Sequence, residues 1–536
     1  MANILVLGGS GFVSEALSKY LIRRGYSIDI LTRGKKMNRK IAFLICSTVL
    51  ISTDISILTK IHADENQTVN TSKIVDGKEE SFTDETIESN ADNTSVICNQ
   101  NGGTVTISRN KLHKSGDTNI EDGKNAVVYT TSSSFTKIAH SDLQSTSKGS
   151  SGIAASEKAM VYANDSSILT SNDSANGLEA VSSGQIIANQ MDITTQGNQS
   201  AAVNVKQNDG SISLTNSILS TDGNDAPLLH ANGMIEVDNV SGNASHSKIA
   251  EVEGGQHVSI YNSQLSSTNN HLLQNELIKN GIRIKGIQDS STKEKARIDV
   301  CNSILSTMID DGSMFYVDGQ DTNIVLNKSL LSFDCDHVDL LHVSNGNVKL
   351  TGSEETMVGN IMVESHAKVD MYLLDGSSYT GSTSCEEQGT LNMNISTDSS
   401  WIVSSDCKVN CLNIESGGEI IDADGNLVTI TQQGKPIISG TSPYTVTVEG
   451  KVGSSFDTDS DNALCTGYID RTNFDHTYHV STAFSTNTAS LPVEEDTSDE
   501  TIQDNSMKYV VVTIATVGVI SFVSYIICKR NKHADM

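Results

Sequence analysis

Two cations stand two residues apart in Gly281-Ile282-Arg283-Ile284-Lys285. That spacing puts both on one face of a strand. Cleaving a glycosidic bond needs a pair of carboxyls, one to protonate the leaving oxygen and one to act across the ring. The adjacent pair Asp310-Asp311 comes downstream of the cations, and Arg283 and Lys285 read as solvated strand residues. Carboxylates alternate again in Asp457-Thr458-Asp459-Ser460-Asp461, a pattern by which loops gather oxygen ligands around hard cations. Cys98, Cys301, Cys335, Cys385, Cys407, Cys411 and Cys465 lie between the two most apolar segments, an odd seven, so at least one stays unpaired within the chain. No Cys-x-x-Cys or paired histidines accompany them, so zinc spacing is absent. Cys407 and Cys411 read as one strand, about 13 Å apart and too distant for a mutual disulfide. Small inward core residues is the default reading for most of the seven.

Some of these patterns carry resemblances. Gly281 to Lys285 resembles the Arg-Ile-Lys substrate motif of polygalacturonases, which implies cations holding a uronate. That family's Asn-Thr-Asp, Asp-Asp and Gly-His-Gly motifs belong upstream and do not occur there; His246 and His257 lack flanking glycines. Asp457 to Asp461 resembles the opening of an EF-hand loop, with Asn462 in place of its turn glycine and Tyr468 in place of its bidentate Glu. This makes Asp457, Asp459 and Asp461 a weak calcium candidate beside the plainer reading of an acidic loop.

The chain opens with Asn3-Ile-Leu-Val-Leu-Gly8-Gly9-Ser10-Gly11-Phe12-Val13-Ser14, which runs strand, glycine turn, helix. It resembles the start of NAD(P)-dependent epimerases and dehydratases of the extended short-chain dehydrogenase type. There Gly8 and Gly11 would let the backbone approach the pyrophosphate at a helix N-terminus. Ser14 stands at the third glycine position. The second strand, Ser27 to Leu31, is followed by Arg33 rather than an acidic residue, which implies NADP. The resemblance ends after about 36 residues, too few to bury a core. Six Lys or Arg against Asp29 and Glu15 leave this piece at +4, while the whole chain carries −28. It reads as a truncated βαβ fragment, a fusion scar or over-extended start.

Such chemistry needs a scaffold, and a repeat supplies it. Gly210-Ser-Ile212-Ser-Leu214-Thr-Asn216-Ser217-Ile218-Leu-Ser-Thr aligns without a gap with Ala296-Arg-Ile298-Asp-Val300-Cys-Asn302-Ser303-Ile304-Leu-Ser-Thr. Weaker copies recur from Gly102 to Leu350. Apolar residues two apart mean a strand with that pair on one face. Gly184, Gly210 and Gly233 lie 26 and 23 residues apart, a period that signals stacked units. The expected ladders are Ile186 on Ile212 on Ile235 and Ala188 on Leu214 on Val237, with Thr215 facing outward. Asn of Asn-Ser belongs at corners, where its amide bridges coils and its backbone tolerates the left-handed region. The coils resemble the right-handed parallel β-helix of pectate-lyase-like and bacterial surface proteins. The fold class expected is all-β, a right-handed parallel β-helix solenoid, with the truncated βαβ fragment before it and a single C-terminal transmembrane helix after it.

Location is read from three segments. Met37-Asn-Arg39-Lys40 precedes an apolar run to Ile51, the form of a secretion signal. Tyr509 to Cys528 is uncharged and followed by Lys529, Arg530 and Lys532; that length spans a bilayer, and the positive flank belongs in the cytoplasm. Residues 481 to 506 are rich in Ser, Thr, Asp and Glu and read as a stalk. This end resembles the sorting signal of Gram-positive surface proteins, but Leu491-Pro492-Val493 runs into Glu494-Glu495 where Thr-Gly belongs, so retention in the membrane is expected rather than wall attachment.

The layout expected is a Rossmann-like fragment at 1–36, a signal-like segment at 37–63, a polar linker at 64–94, a β-helix ectodomain at 95–476, a stalk at 477–508, a membrane helix at 509–528 and a basic tail at 529–536. Only 4 Pro and 4% aromatics suit a long thin core. A net charge of −28 argues against nucleic acid. The function expected is an adhesin-like, non-catalytic surface protein whose partners are the membrane and an extracellular glycan or protein. A β-helix polysaccharide lyase or hydrolase is the second class, and an NAD(P)-dependent protein the third. No resident cofactor is expected, and NADP would enter only if the fragment with Gly8, Gly11 and Arg33 were functional.

Overall fold

The structure, a computed structural model, describes residues 3–7, 27–31, 72–118, 122–207, 209–270, 272, 276–287, 294–482 and 484. The chain divides into one unit of residues 1–69 and 490–520 and another of 70–489 and 521–536. In the first, Asn3–Leu7 and Ser27–Leu31 pair in parallel, Asn3 opposite Ser27, so both strands read from the sequence form. Gly8, Gly11, Arg33 and the expected helix lie outside the described residues. So do the segments expected as signal, membrane helix and basic tail. Among the described residues no helix is long and apolar enough to cross a membrane.

The second unit is a stack of coils. Each coil as far as Leu330–Ser332 contributes one strand to each of three sheets, so a strand pairs in parallel with its equivalent one coil away; after it the third strands form a separate four-stranded sheet. The coil of Ile97–Gln100, Thr104–Ser108 and Lys111–Lys114 is followed by Val128–Thr130, Phe135–Ala139 and Asp142–Ser145 in the same order. We call these the first, second and third sheets, of 13, 15 and 10 strands. This is the parallel β-helix arrangement. Only parallel stacking of short strands lets one alternating pattern bury its inner face coil after coil.

The register matches the expected ladders. Ile186, Ile212 and Ile235 are opposite one another, as are Ala188, Leu214 and Val237. They continue through Val258, Ile298 and Ile324, and through Ile260, Val300 and Leu326. All are fully buried, and each large aliphatic side chain contributes about 1.5–3 kcal/mol. The recurrent glycine before this strand has a steric cause at Gly184, where a Cβ would sit 2.0 Å from Ala155 O of the preceding coil.

The Asn-Ser signature explains itself at the corner between the second and third sheets. Asn216, Asn239, Asn262 and Asn302 have φ of 52°, 56°, 48° and 48°, the left-handed conformation that asparagine tolerates. Their amides form a ladder: Asn302 donates to Asn262 at 2.7 Å and Asn239 to Asn216 at 2.6 Å. The serine that follows bridges coils. Ser217 Oγ accepts from Met191 N at 2.9 Å and donates to Thr215 O at 2.7 Å; Ser263 and Ser303 repeat this with Val240 N and Ser263 N.

Several boundaries differ from the expectation. The linker expected at 64–94 already contains a full coil, Lys73–Asp76, Glu79–Thr83 and Thr86–Ser89. Its polar sequence hides the alternation because Val75, Phe82 and Ile87 are the only buried apolar residues of these strands. Residues 477–482, expected within the stalk, instead pack on the solenoid with the helix Thr472–Tyr478, and the rest of the expected stalk lies outside the described residues apart from Phe484. Cys407 and Cys411 sit on separate strands, Cys407–Val409 and Cys411–Ile414. Cys407 joins the core, but Cys301 is buried on the outer side of the second sheet, not inside. Toward the C-terminal end Thr429–Gln432 and Lys435–Ile438 form an antiparallel hairpin. Such a pairing interrupts the parallel edge that another chain could extend.

Candidate functional site

The three sheets present three different outer surfaces. On the third sheet the outward residues Thr194, Ser220, Asn243, Ser266, Ser306 and Ser332 lie in register, one per coil. All are partly or fully exposed. Parallel neighbours are about 4.8 Å apart, so this is a regular column of small hydrogen-bonding groups. Ser306 and Ser332 also line an open groove of about 380 Å³ with Asn270, Met308, Asp310 and Phe333. Asn270 Oδ1 accepts from Asp310 N at 3.1 Å, and Lys279 pairs with Asp310 and Asp311. Phe333 and the largely exposed Met308 (64%) add apolar lining beside these polar groups.

The first sheet carries a cluster of paired charges. Arg283 and Lys285 are not the solvated residues expected. Arg283 reaches Glu276 at 3.4 Å and Asp318 at 3.8 Å with its side chain 11% exposed. Lys285 binds Glu251 and Glu253. Lys248, fully buried, holds Glu251 at 2.6 Å and also Glu276. Burial pushes the Glu251 carboxyl up, but Lys248, Lys285 and His230 outweigh it and hold it far below the usual range. Glu253 is likewise held at about 2, where burial is overcome by His230 and Lys285. Outward charges of opposite sign meet across the coils and offset one another, so both cations already hold carboxylates of this chain.

The second sheet is covered by a strap. From Phe456 onward the chain runs back along its outer face, from strand Lys368–Leu374 to strand Phe135–Ala139. Phe456 packs edge-on against Tyr372, Tyr261 Oη donates to Cys465 O at 3.3 Å, and Ile469 N donates to Glu236 at 3.0 Å. Arg471 is its anchor: Nη1 donates to Ser213 O and Oγ, Nη2 to Ala188 O and Thr215 Oγ1, and Nε to Thr482. Phe474 packs on Tyr162, and Tyr478 Oη donates to Ile138 O and Tyr162 O. Thr215, expected to face solvent, is therefore buried at 1%. The sequence does hold a signal for the strap: Tyr468, Phe474, Tyr478 and Phe484 cluster in a chain with only 4% aromatics.

The calcium candidate lies at the start of this strap. Asp457 is exposed, Asp459 pairs with Lys349 and Asp461 with Lys295, both at 2.7 Å. Asp459 also caps the short 3-10 turn Ser460–Asn462. The lysines hold both carboxyls below their ordinary range. Among the described residues, metal-ligating side chains come together in threes at His257, Asp299 and Cys465 and at His230, Glu251 and Glu253, not at the Asp457 loop. His246 is exposed and bonds Asp222 O. Residues Gly8, Gly11 and Arg33, the expected dinucleotide contacts, lie outside the described residues.

No protein-family model matches the sequence, and no curated protein matches it. Three solved chains match. One, the crystal structure of a TibC-catalysed hyper-glycosylated TibA55-350 fragment, aligns with 70% of this chain and 99% of its own at 12% identity, with a TM-score of 0.26. A likeness that loose carries no weight for function.

Proposed function

We propose that this protein is a surface-displayed, right-handed parallel β-helix of adhesin-like type, held in the membrane by residues 509–528, that binds an extracellular glycan or protein without catalysis. The observation that supports this reading is the contrast among the three outer surfaces. The second sheet is under the strap and the first carries paired charges, whereas the third offers a register-locked column of hydroxyl and amide groups ending in the Ser306–Ser332 groove. Hydroxyls and amides repeated at strand spacing suit multivalent binding to an extended ligand, each contact weak and the sum useful. The mixed lining, apolar at Phe333 and Met308 and polar at Ser306, Ser332 and Asn270, fits an amphipathic sugar ring or side chain.

The test uses the full chain displayed on cells, scored for attachment to immobilised glycan arrays and matrix proteins. Paired substitution Ser306→Arg and Ser332→Arg should reduce saturable attachment at least about tenfold, while Ser384→Arg at an exposed position of first-sheet strand Thr383–Cys385 leaves it unchanged. Attachment unaffected by the groove pair, or no saturable attachment at all, would sink the reading. Release of reducing or unsaturated sugar ends from polyuronate by the purified protein would instead favour the enzyme class.

A further inference from the structure

Beneath the strap, three side chains with metal-binding chemistry meet from three separate segments. His257 opens strand His257–Tyr261, Asp299 lies on the next coil in Ala296–Cys301, and Cys465 comes from the strap. One ligand atom of each lies within 4.8 Å of the other two. Asp299 is fully buried and His257 is 19% exposed at its side chain. His257 Nε2 already lies 2.8 Å from Asp299 Oδ2.

We propose that His257, Asp299 and Cys465 bind one borderline-soft divalent cation of the zinc class, which rivets the strap to the solenoid. The ligand types fit that ion: imidazole, carboxylate and thiolate are its three protein donors, and three of them leave a fourth position for water. The site is held from outside as well. Arg297 donates to both Asp299 oxygens, at 2.7 and 2.8 Å, the orienting support that ligating carboxylates receive. The strap backbone is pinned on either side of the thiol, by Arg297 to Ala463 O and by Tyr261 Oη to Cys465 O. A cation entering here replaces the His257–Asp299 hydrogen bond and displaces the thiol proton to solvent, so affinity falls as pH falls. The other grouping, His230 with Glu251 and Glu253, is a poorer host for a borderline-soft ion because it offers no thiolate.

The experiment takes the purified full chain, strips it with chelator and titrates it with zinc and with cobalt(II). One equivalent should bind, and the cobalt form should show a thiolate-to-metal charge-transfer band with tetrahedral d–d intensity. Cys465→Ser should remove that band and the binding while leaving the circular dichroism unchanged; His257→Gln is the second variant, on the solenoid side. Zinc should also slow amide exchange at Ile469 roughly tenfold or more at saturating metal, and not in Cys465→Ser. Binding that survives both substitutions, a cobalt spectrum without the thiolate band, no equivalent bound, or strap exchange indifferent to zinc would each overturn the assignment.

Discussion

In the serine column that joins successive coils, Glu355 takes a place that Ser329 and Ser377 hold on either side. Its Oε2 accepts from Ser329 N at 2.8 Å and its own N donates to Ser377 Oγ at 2.9 Å. Oε1 is buried with no partner. Burial pushes the carboxyl up to about 8, against smaller opposing effects of the Ser329 and Thr356 amides. Because the folded value lies above the unfolded one near 4.5, the stabilisation is full below pH 4.5 and is lost as pH rises through 8. The loss is on the order of 3–5 kcal/mol. Glu355→Gln keeps the shape of the protonated acid. Thermal melts should show it at least as stable as the parent at pH 5 and clearly more stable at pH 9. A parent whose melting temperature is flat over that range would disprove the assignment.

At the scale of elements, the strap separates from the solenoid energetically because its grip is concentrated in Arg471, which is 3% exposed and reaches acceptors on two adjacent coils. Arg471→Met leaves Ser213 O, Ala188 O and the Thr215 hydroxyl without their cation, a cost of about 2–4 kcal/mol. The expected outcome is local: limited proteolysis should cut residues 464–482 faster while the sheets keep their melting temperature. Lys at this position should not rescue, since an ammonium lacks the planar fork. Thr215→Val should cost about 1 kcal/mol in the same assay, where a solvent-facing position would cost nothing. A second prediction concerns pH. Glu236, buried beneath the strap, has its carboxyl raised to about 6 by burial, with Ile469 N and Ser213 opposing. Its raised value means docking is strongest below pH 4.5 and loses about 2 kcal/mol as pH rises through 6. Strap amide exchange, corrected for intrinsic rates, should therefore slow between pH 7 and 5, and Glu236→Gln should abolish that dependence.

For the whole molecule, stability comes from neighbouring coils, and Leu214 sits in the middle of a ladder between Ala188 and Val237. Leu214→Asp places a charge in that dry column at a cost of several kcal/mol. Circular dichroism should report loss of sheet, and not only strap release, in contrast to Thr215→Val. The surface reading makes a separate prediction about topology. A chain stopped after Ser506 should appear in the medium, and protease added to whole cells should cut near Glu494 to Glu500 and release the solenoid. Full-length protein in the cytosol, untouched by external protease, would refute it.

What the sequence determined by itself was whatever depends on periodicity along the chain. The alternation in Ser211–Thr215 and Ala296–Cys301 specifies strands, their inward faces and their register, because a parallel stack repeats one local pattern at fixed spacing. The Asn-Ser corner was legible for the same reason, a backbone requirement written into one residue type. What only the tertiary structure decided was what lies on top of those strands. The outward residues of Thr194, Thr215 and Arg283 look alike in sequence, yet one is open to solvent, one is under Arg471 and one is paired with Glu276. Those partners are up to 256 residues away, and no local pattern carries contacts of that separation. The Cys465 thiol shows the same limit: unremarkable by its spacing, it meets His257 and Asp299 only because the strap folds back across the coils.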